Sequence, residues 1–333
     1  GSSSGPLNKQ MRKDSEARQV DFYYDVEWTT LGEYLDYLVR RGVSTNVASF
    51  VGATTVRVHE LGYVDRAPSA PELVRMQNLV RQAMREGALG VGSSLIYAPA
   101  FYADTAELVA LSRAAGEFGG MYVSHLRSEG NRLLESIDEL VTIAREAGVP
   151  AEIYHLKMSG QHNWGKFEAA VEMVEQARAE GLAITANMYT YKAGSTGLDA
   201  AMPPWVQAGG YAEWTRRLRD PATRQRVKEQ MTTPTDDWEN LFLDAGADPN
   251  VQLTKQLWFT TFGDDYLRVD RTGATPFWRA AYALDLDAMR LLVTYGADPN
   301  IPTVKSPTRR YRGGASTAAP REDPSGLAPV PIG

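Results

Sequence analysis

Two histidines, His125 and His155, occupy the same place in two copies of one short pattern. Each copy is an apolar, strand-like run that ends at the histidine and continues into a polar turn, Met121-Tyr-Val-Ser-His125-Leu-Arg-Ser-Glu-Gly130 and Ala151-Glu-Ile-Tyr-His155-Leu-Lys-Met-Ser-Gly160. Two neutral imidazoles side by side suit a zinc-like divalent ion, which lowers the pKa of a bound water to about 7. The alternative is that each histidine caps a strand end and hydrogen-bonds a neighbour. The repeated position on successive strands favours the metal site.

The segment between the two copies has the length and spacing of one βαβ unit. Residues 131–148 place apolar side chains at helical spacing, and the two histidines lie thirty positions apart. Consecutive parallel strands are usually neighbours joined by a right-handed crossover. Both imidazoles are therefore expected at one carboxyl edge of a sheet, which is where α/β barrels carry their active sites.

The same alternation of strand and helix extends in both directions along the chain. Strands are predicted to start near residues 89, 121, 151 and 183, with an earlier strand over 46–57. Helices are predicted over 30–42, 71–86, 105–119, 131–148 and 166–180, each ending at a glycine. This pattern predicts an α/β fold with a parallel sheet. No glycine-rich phosphate loop follows a strand, which favours a (β/α) barrel over an open sheet.

Composition excludes several classes of function. The chain has 333 residues and a net charge of −6, so no basic surface for nucleic acid is predicted. It has no cysteine, so a metal would have to rely on His, Asp, Glu or a modified Lys. No apolar run approaches the ~18 residues of a membrane span. No signal peptide is visible, and we expect a cytoplasmic protein.

The character of the sequence changes after Trp238. The segment Leu241-Phe-Leu-Asp-Ala-Gly-Ala-Asp-Pro-Asn250 recurs as Leu291-Leu-Val-Thr-Tyr-Gly-Ala-Asp-Pro-Asn300, and Thr275-Pro-Phe-Trp-Arg-Ala-Ala281 precedes the second copy. These segments resemble ankyrin repeats, although Trp278 replaces the usual histidine. We expect a barrel-like domain over 1–240, a small α-helical ankyrin-like segment over 241–303, and a disordered tail over 304–333 that is rich in Pro, Gly, Ser, Ala and Arg.

Five segments before residue 241 carry family-specific motifs, at 46–57, 124–130, 155–157, 189–196 and 233–241. Together these motifs resemble the D-aminoacylase branch of the amidohydrolase superfamily. The resemblance covers about residues 1–241 and implies part of a zinc-dependent (β/α)8 barrel of the TIM type. It also implies a hydrolase that uses metal-activated water to cleave the amide bond of an N-acyl-D-amino acid.

The resemblance also assigns roles to individual residues. It implies that His125 and His155 hold zinc, and that Lys157, Tyr189 and Ser195 lie near the substrate's carboxylate and amide. A cation and two hydroxyl donors suit such a carboxylate. The alternatives are strand-end packing and turn hydrogen bonds for Tyr189 and Ser195, and a solvated turn charge for Lys157.

Three further residues are given weaker roles, and no catalytic residue is assigned. Tyr97 is expected on the wall of the substrate pocket, with core packing as the alternative. Arg127 and Glu129 are expected to orient the site, with Arg127 among the substrate-binding residues, or else to pair with each other. His59 and His162 are interpreted as structural or surface residues.

The sequence also departs from the family pattern. The family carries a His-x-His pair on the first barrel strand, a bridging Cys or Glu soon after, and a catalytic Asp after the last strand, and none of these is found here. The start at residues 2–8 resembles the stretch just downstream of the bridging residue. We therefore expect a barrel fragment with impaired activity unless another chain completes it. The alternatives are an ankyrin-type module that binds a protein partner, or a non-functional gene-fusion fragment.

Overall fold

The computed structural model describes residues 1–17, 19, 23–189, 196, 200, 202–232, 275–278, 286–294 and 296–302. The chain divides into two units, Gly1–Asn240 and Leu241–Gly333. The predictions for Ser195, for the first copy of the internal repeat and for the 304–333 tail fall outside the described residues.

Five parallel strands form one sheet in the first unit. They are β1 Val51–Gly52, β2 Gly90–Ser94, β3 Met121–His125, β4 Ala151–Ile153 and β5 Ile184–Ala186, and they pair in chain order. The predicted α/β fold with a parallel sheet is confirmed. The strand order has no switch point, unlike that of a doubly wound sheet. The described strands do not close on themselves, so the barrel stays a prediction.

Helices join the strands and cover the sheet. Those before β5 are α1 Lys9–Ala17, α2 Leu31–Arg41, α3 Ala53–Leu61, α4 Ala70–Arg85, α5 Thr105–Gly116, α6 Leu133–Ala147 and α7 Phe167–Ala179. Those after β5 are α8 Pro204–Gln207, α9 Tyr211–Leu218 and α10 Pro221–Thr232. Two 3-10 turns, Ala100–Tyr102 and Gln161–Lys166, follow β2 and β4. The predicted helices α2, α4, α5, α6 and α7 are confirmed to within a turn at each end.

Capping explains why the helix starts were predictable. The Thr30 hydroxyl accepts a hydrogen bond from the backbone N–H of Glu33, whose carboxylate accepts one from the backbone N–H of Thr30. The Asp104 carboxylate accepts the backbone N–H of Glu107 at the start of α5 in the same way. Such caps each contribute about 1 kcal/mol.

The predicted strand over 46–57 was wrong beyond Gly52. Only Val51 and Gly52 pair with β2, and the β-branched residues after them start α3. Val56 and Leu61 are buried in the core from this helix. Their packing outweighs the weak strand preference of Thr and Val. Helix α1 was also missed, because the cap formed by the Asn8 side chain on the N–H groups of Gln10 and Met11 does not follow from an apolar pattern.

The helix-facing side of the sheet forms the main core. Fully buried Ile137, Leu140 and Ile143 of α6 belong to the same cluster as Tyr122 of β3 and Ile153 of β4. Each buried Leu or Ile side chain stabilises the fold by about 1.5–3 kcal/mol. This packing fixes the carboxyl ends of β3 and β4, where the two histidines lie.

In the second unit the structure describes Thr275–Trp278, α11 Leu286–Thr294 and residues 296–302. The Thr275 hydroxyl accepts the backbone N–H of Trp278, and Phe277 and Ala297 are buried. These short helical pieces do not identify a repeat family, so the ankyrin-like segment stays a prediction. None of the helices in the described part of the chain has the length and apolar content needed to span a bilayer.

Candidate metal centre

His125 and His155 meet at the carboxyl edge of the sheet. His125 is the last residue of β3, and His155 follows the neighbouring strand β4 by two residues. Their ring centroids are 4.5 Å apart, with the ring planes at 86°. The predicted juxtaposition of the two imidazoles is therefore observed, whereas their role as ligands stays a proposal.

A sharp backbone turn at His155 places its imidazole beside that of His125. His155 has φ +39°, a left-handed conformation that few residues other than glycine adopt. Its backbone N–H donates to Asn187 Oδ1 at 2.7 Å, and the N–H of Leu156 donates to the Asn187 carbonyl at 2.8 Å. Asn187, just past β5, thus holds the turn that aims the imidazole. Sequence analysis missed this residue, and its place at the end of the next strand was the available signal.

Glu129 brings a carboxylate to the two imidazoles. Its Oε1 lies 2.9 Å from His155 Nδ1 and 3.6 Å from His125 Nδ1. One ligand atom from each of the three residues can be chosen so that all lie within 4.8 Å of one another. Glu129 was predicted only to orient the site or to pair with Arg127. Its position four residues after His125, in the turn that leaves β3, was the signal for a direct role.

Lys157 completes the cluster. Its ammonium donates to Glu129 Oε1 at 2.6 Å and lies 2.7 Å from His155 Nδ1, which accepts from it in the tautomer protonated at Nε2. The Lys157 side chain is 24% exposed and that of Glu129 13% exposed. In that tautomer Nδ1 and Glu129 Oε1 are both acceptors and lie 2.9 Å apart, and the Lys157 ammonium supplies the positive group between them.

Burial and charge give His125 and Glu129 the protonation states that a metal requires. Burial lowers the pKa of His125, partly opposed by the Glu129 charge, so this imidazole is neutral at pH 7. Burial acts to raise the pKa of Glu129, but the interactions with His155, His125 and the Lys157 ammonium outweigh it and hold the pKa below its ordinary value. Neutral imidazole and ionised carboxylate are the ligating forms.

The donor set fits a zinc ion. Two imidazole nitrogens and one carboxylate oxygen are the ligands of many catalytic zinc sites, with bonds of about 2.0–2.2 Å. Tetrahedral ligands at such distances lie roughly 3.3–3.6 Å apart, which the 3.6 Å between Glu129 Oε1 and His125 Nδ1 matches. The fit requires a rearrangement at His155, because Glu129 Oε1 and His155 Nδ1 are only 2.9 Å apart and the Lys157 ammonium lies within hydrogen-bonding distance of both atoms.

Two tyrosines flank the cluster. The Tyr97 ring lies 5.7 Å from the His125 ring, and its hydroxyl is 2.5 Å from Thr196 Oγ1. The Tyr189 ring lies 6.3 Å from the His155 ring and 5.4 Å from Lys157 Nζ. Burial and the charge of Glu129 raise the pKa of Tyr189, so its hydroxyl keeps its proton. Both predicted tyrosines are therefore beside the histidines.

The guanidinium of Arg127 donates its hydrogen bonds away from the cluster of His125, Glu129 and His155. The guanidinium forms a two-pronged ion pair with Glu139 of α6 and donates to the carbonyls of Phe101 and Ala103. The alternative of an Arg127–Glu129 pair is thus wrong. Arg127 thus connects the turn after β2 to α6. It also lines a cleft of about 710 Å³ with Tyr102 and Trp205, and neither His125 nor His155 lines this cleft.

Sequence comparison shows homology to deacylases over about half the chain. The sequence is 34% identical to a D-aminoacylase of Alcaligenes xylosoxydans xylosoxydans over 164 residues, 49% of this chain and 34% of that protein. It is 33% identical to an N-acyl-D-glutamate deacylase of the same organism over 151 residues, 45% of this chain and 31% of that protein. The matched part thus spans about a third of these curated relatives. No protein-family model matches the sequence.

Structural comparison agrees with this homology. A solved D-aminoacylase structure, whose binuclear centre is described as activated by one metal and attenuated by a second, is 26% identical to this chain. The match has a TM-score of 0.52 and covers 69% of this chain and 50% of that one. The expected resemblance to this group of proteins is confirmed over about half of the chain.

Proposed function

We propose that this site is the metal centre of an amidohydrolase that cleaves N-acyl-D-amino acids. The observation that carries the proposal is the convergence of ligand atoms from His125, Glu129 and His155 within 4.8 Å at one sheet edge. Homology to D-aminoacylases and an N-acyl-D-glutamate deacylase supports an amidohydrolase function. The substrate class follows from these relatives.

The residues around the cluster have distinct parts in this proposal. The two imidazoles and the Glu129 carboxylate hold the metal. A bound zinc ion supplies a Lewis acid and a water of lowered pKa. Lys157 and Tyr189 offer a cation and a phenol to the carboxylate of an N-acyl amino acid. Tyr97 bounds the space beside His125, and Ser195 has a substrate-binding role by resemblance alone.

The site is proposed to hold one metal ion. The four histidines of the chain, His59, His125, His155 and His162, include no His-x-His pair that could add a second site. The D-aminoacylase that matches in structure is described as activated by one metal. A one-metal site is therefore consistent with turnover, although we expect slow turnover because no group is assigned to pass a proton to the leaving amine.

The test is release of free amino acid from N-acetyl-D-amino acids with apolar and acidic side chains. We expect release that depends on added Zn²⁺ and that the His125→Ala/His155→Ala double variant loses. The L-enantiomers are the matched control and should react more slowly. Release that survives in the double variant, or no release from any D-substrate with Zn²⁺ present, would contradict the proposal.

A further inference from the structure

The Lys157 ammonium occupies the position that is shared by the acceptors of the cluster. It lies 2.6 Å from Glu129 Oε1 and 2.7 Å from His155 Nδ1, atoms that are themselves 2.9 Å apart. In the His155 tautomer that can bind a metal through Nδ1, this atom carries a lone pair, and two lone pairs this close repel each other unless a positive group lies between them. Lys157 therefore keeps two proposed metal ligands together by acting as their cation.

A metal ion and this ammonium cannot both keep these positions. A zinc ion that binds Glu129 Oε1 and His155 Nδ1 at about 2.1 Å would lie less than roughly 4 Å from the observed Nζ, whichever side it approached from. Two cations at that distance in a partly buried site repel strongly, since Glu129 is the one carboxylate in the cluster and its Oε1 is already shared. Binding of the metal must displace Lys157.

We propose that Lys157 is an internal counter-cation, which holds Glu129 and His155 in position while the metal is absent and is released when the metal binds. The inference rests on the proposed function, because it takes these residues as the metal ligands. Metal loading then frees the ammonium to face the carboxylate of an N-acyl amino acid. The Tyr189 ring, 5.4 Å from Nζ, can bind the released ammonium through a cation–π contact.

The direct test is the Zn²⁺ affinity of the whole chain, measured by competition with a chromophoric chelator. Lys157→Met keeps the length of the side chain and removes the competing charge. Because the ammonium makes two charge-assisted hydrogen bonds that zinc must break, the variant should bind Zn²⁺ about 10- to 100-fold more tightly than the wild type. Lys13→Met, on the exposed surface of α1, removes the same charge outside the cluster and should leave the affinity unchanged.

The outcomes separate this inference from the proposed function. Equal or weaker Zn²⁺ binding by Lys157→Met, with the wild type binding, would overturn the inference and leave the metal centre standing. No Zn²⁺ binding by either protein would overturn both.

A second measurement needs no variant of Lys157. Lysine acylation of the wild-type chain, mapped by mass spectrometry, should modify Lys157 several-fold faster with Zn²⁺ than without it, because the amine has lost its hydrogen-bond partners. Lys166, whose ammonium donates to the Asn131 carbonyl at 2.6 Å, is the internal control and should not change. A Lys157 rate that Zn²⁺ leaves unchanged or lowers would overturn the inference.

Discussion

Glu129 shows how one side chain changes the chemistry of a histidine pair. Two imidazoles alone are one protein ligand short of the three that catalytic zinc sites usually have. The Glu129 carboxylate adds the third donor, and its Oε1 is the atom that contacts His125, His155 and Lys157. The negative charge of Glu129 also balances part of the charge of a divalent ion.

Glu129→Gln is the substitution that tests this role. The amide keeps the shape of the side chain but loses its charge, so we expect the Zn²⁺ affinity to fall at least 10- to 100-fold, the range seen when groups that merely orient metal ligands are removed. Chelator competition measures the loss. Glu172→Gln, exposed on α7, removes the same charge and should bind as the wild type does. Unchanged affinity of Glu129→Gln would show that its carboxylate is not a ligand.

Glu107 predicts a pH dependence of stability that has nothing to do with the metal. Burial raises the pKa of Glu107 to about 7 from its ordinary value near 4.5, although Arg57 opposes this. The folded state therefore binds a proton more tightly than the unfolded state does. The stability that this carboxyl contributes is fully present below about pH 4.5 and is lost as the pH rises to about 7.

Urea unfolding at pH 5 and pH 7.5 tests this prediction. The quantity compared is the free energy of unfolding of the wild type minus that of Glu107→Gln. This difference should decrease as the pH rises from 5 to 7.5, because glutamine cannot lose a proton. Taking the difference removes the contributions of other titrating groups. A difference that stays constant would contradict the raised pKa.

At the scale of elements, a buried ion pair joins α3 to α5. Arg57 and Glu107 are in direct contact with side chains only 1% exposed, and Arg57 also donates to the carbonyls of Val64 and Arg66 after α3. The pairing is incomplete, because Arg57 Nε and Glu107 Oε1 have no hydrogen-bond partner among the residues that the structure describes. Such a pair is costly to break on one side and tolerates replacement on both.

We therefore expect Arg57→Met to lower the free energy of unfolding by about 3–5 kcal/mol at pH 7.5, since it leaves the buried Glu107 carboxyl and the carbonyls of Val64 and Arg66 without their donor. The double variant Arg57→Met/Glu107→Leu should recover much of this loss. Urea denaturation measures both, and Arg219→Met, at an exposed position after α9, is the control. A double variant no more stable than Arg57→Met would refute this account of the pair.

Arg127, like Arg57, forms an ion pair that joins two elements of the fold. Its guanidinium links Glu139 of α6 to the backbone of Phe101 and Ala103 after β2, which fixes the turn that carries Tyr97. Arg127→Lys keeps the charge and loses the planar two-pronged geometry. We expect a loss of about 1–3 kcal/mol in the free energy of unfolding with Zn²⁺ affinity almost unchanged. Full stability combined with weaker binding of N-acyl-D-amino acids would instead favour the substrate-binding role that the sequence suggested.

At the scale of the whole molecule, the sequence predicted what depends on topology. The parallel sheet, most helices and the meeting of His125 with His155 follow from alternation, caps and the rule that neighbouring parallel strands share a carboxyl edge. It did not predict contacts that depend on side-chain direction. Glu129 reaches the histidines through a turn, and Asn187 holds His155 from the next strand.

Other misses came from tertiary contacts that local patterns do not contain. Arg57 and Glu107 are fifty residues apart in the chain, and their pairing helps explain why the segment after Gly52 is a helix. The closed barrel, the ankyrin-like segment with its protein partner, and the fusion hypothesis concern parts or properties that the described residues do not test, and they stay predictions.

The central claim is that His125, Glu129 and His155 jointly hold one divalent ion. Anomalous diffraction at the zinc absorption edge, from crystals of the whole chain grown with Zn²⁺, tests it most directly. The account predicts one anomalous peak per chain at about 2.0–2.2 Å from an atom of each of the three residues, with the Lys157 ammonium moved away from Glu129. A peak bound by other residues, or none at this cluster with Lys157 still between Glu129 and His155, would contradict it.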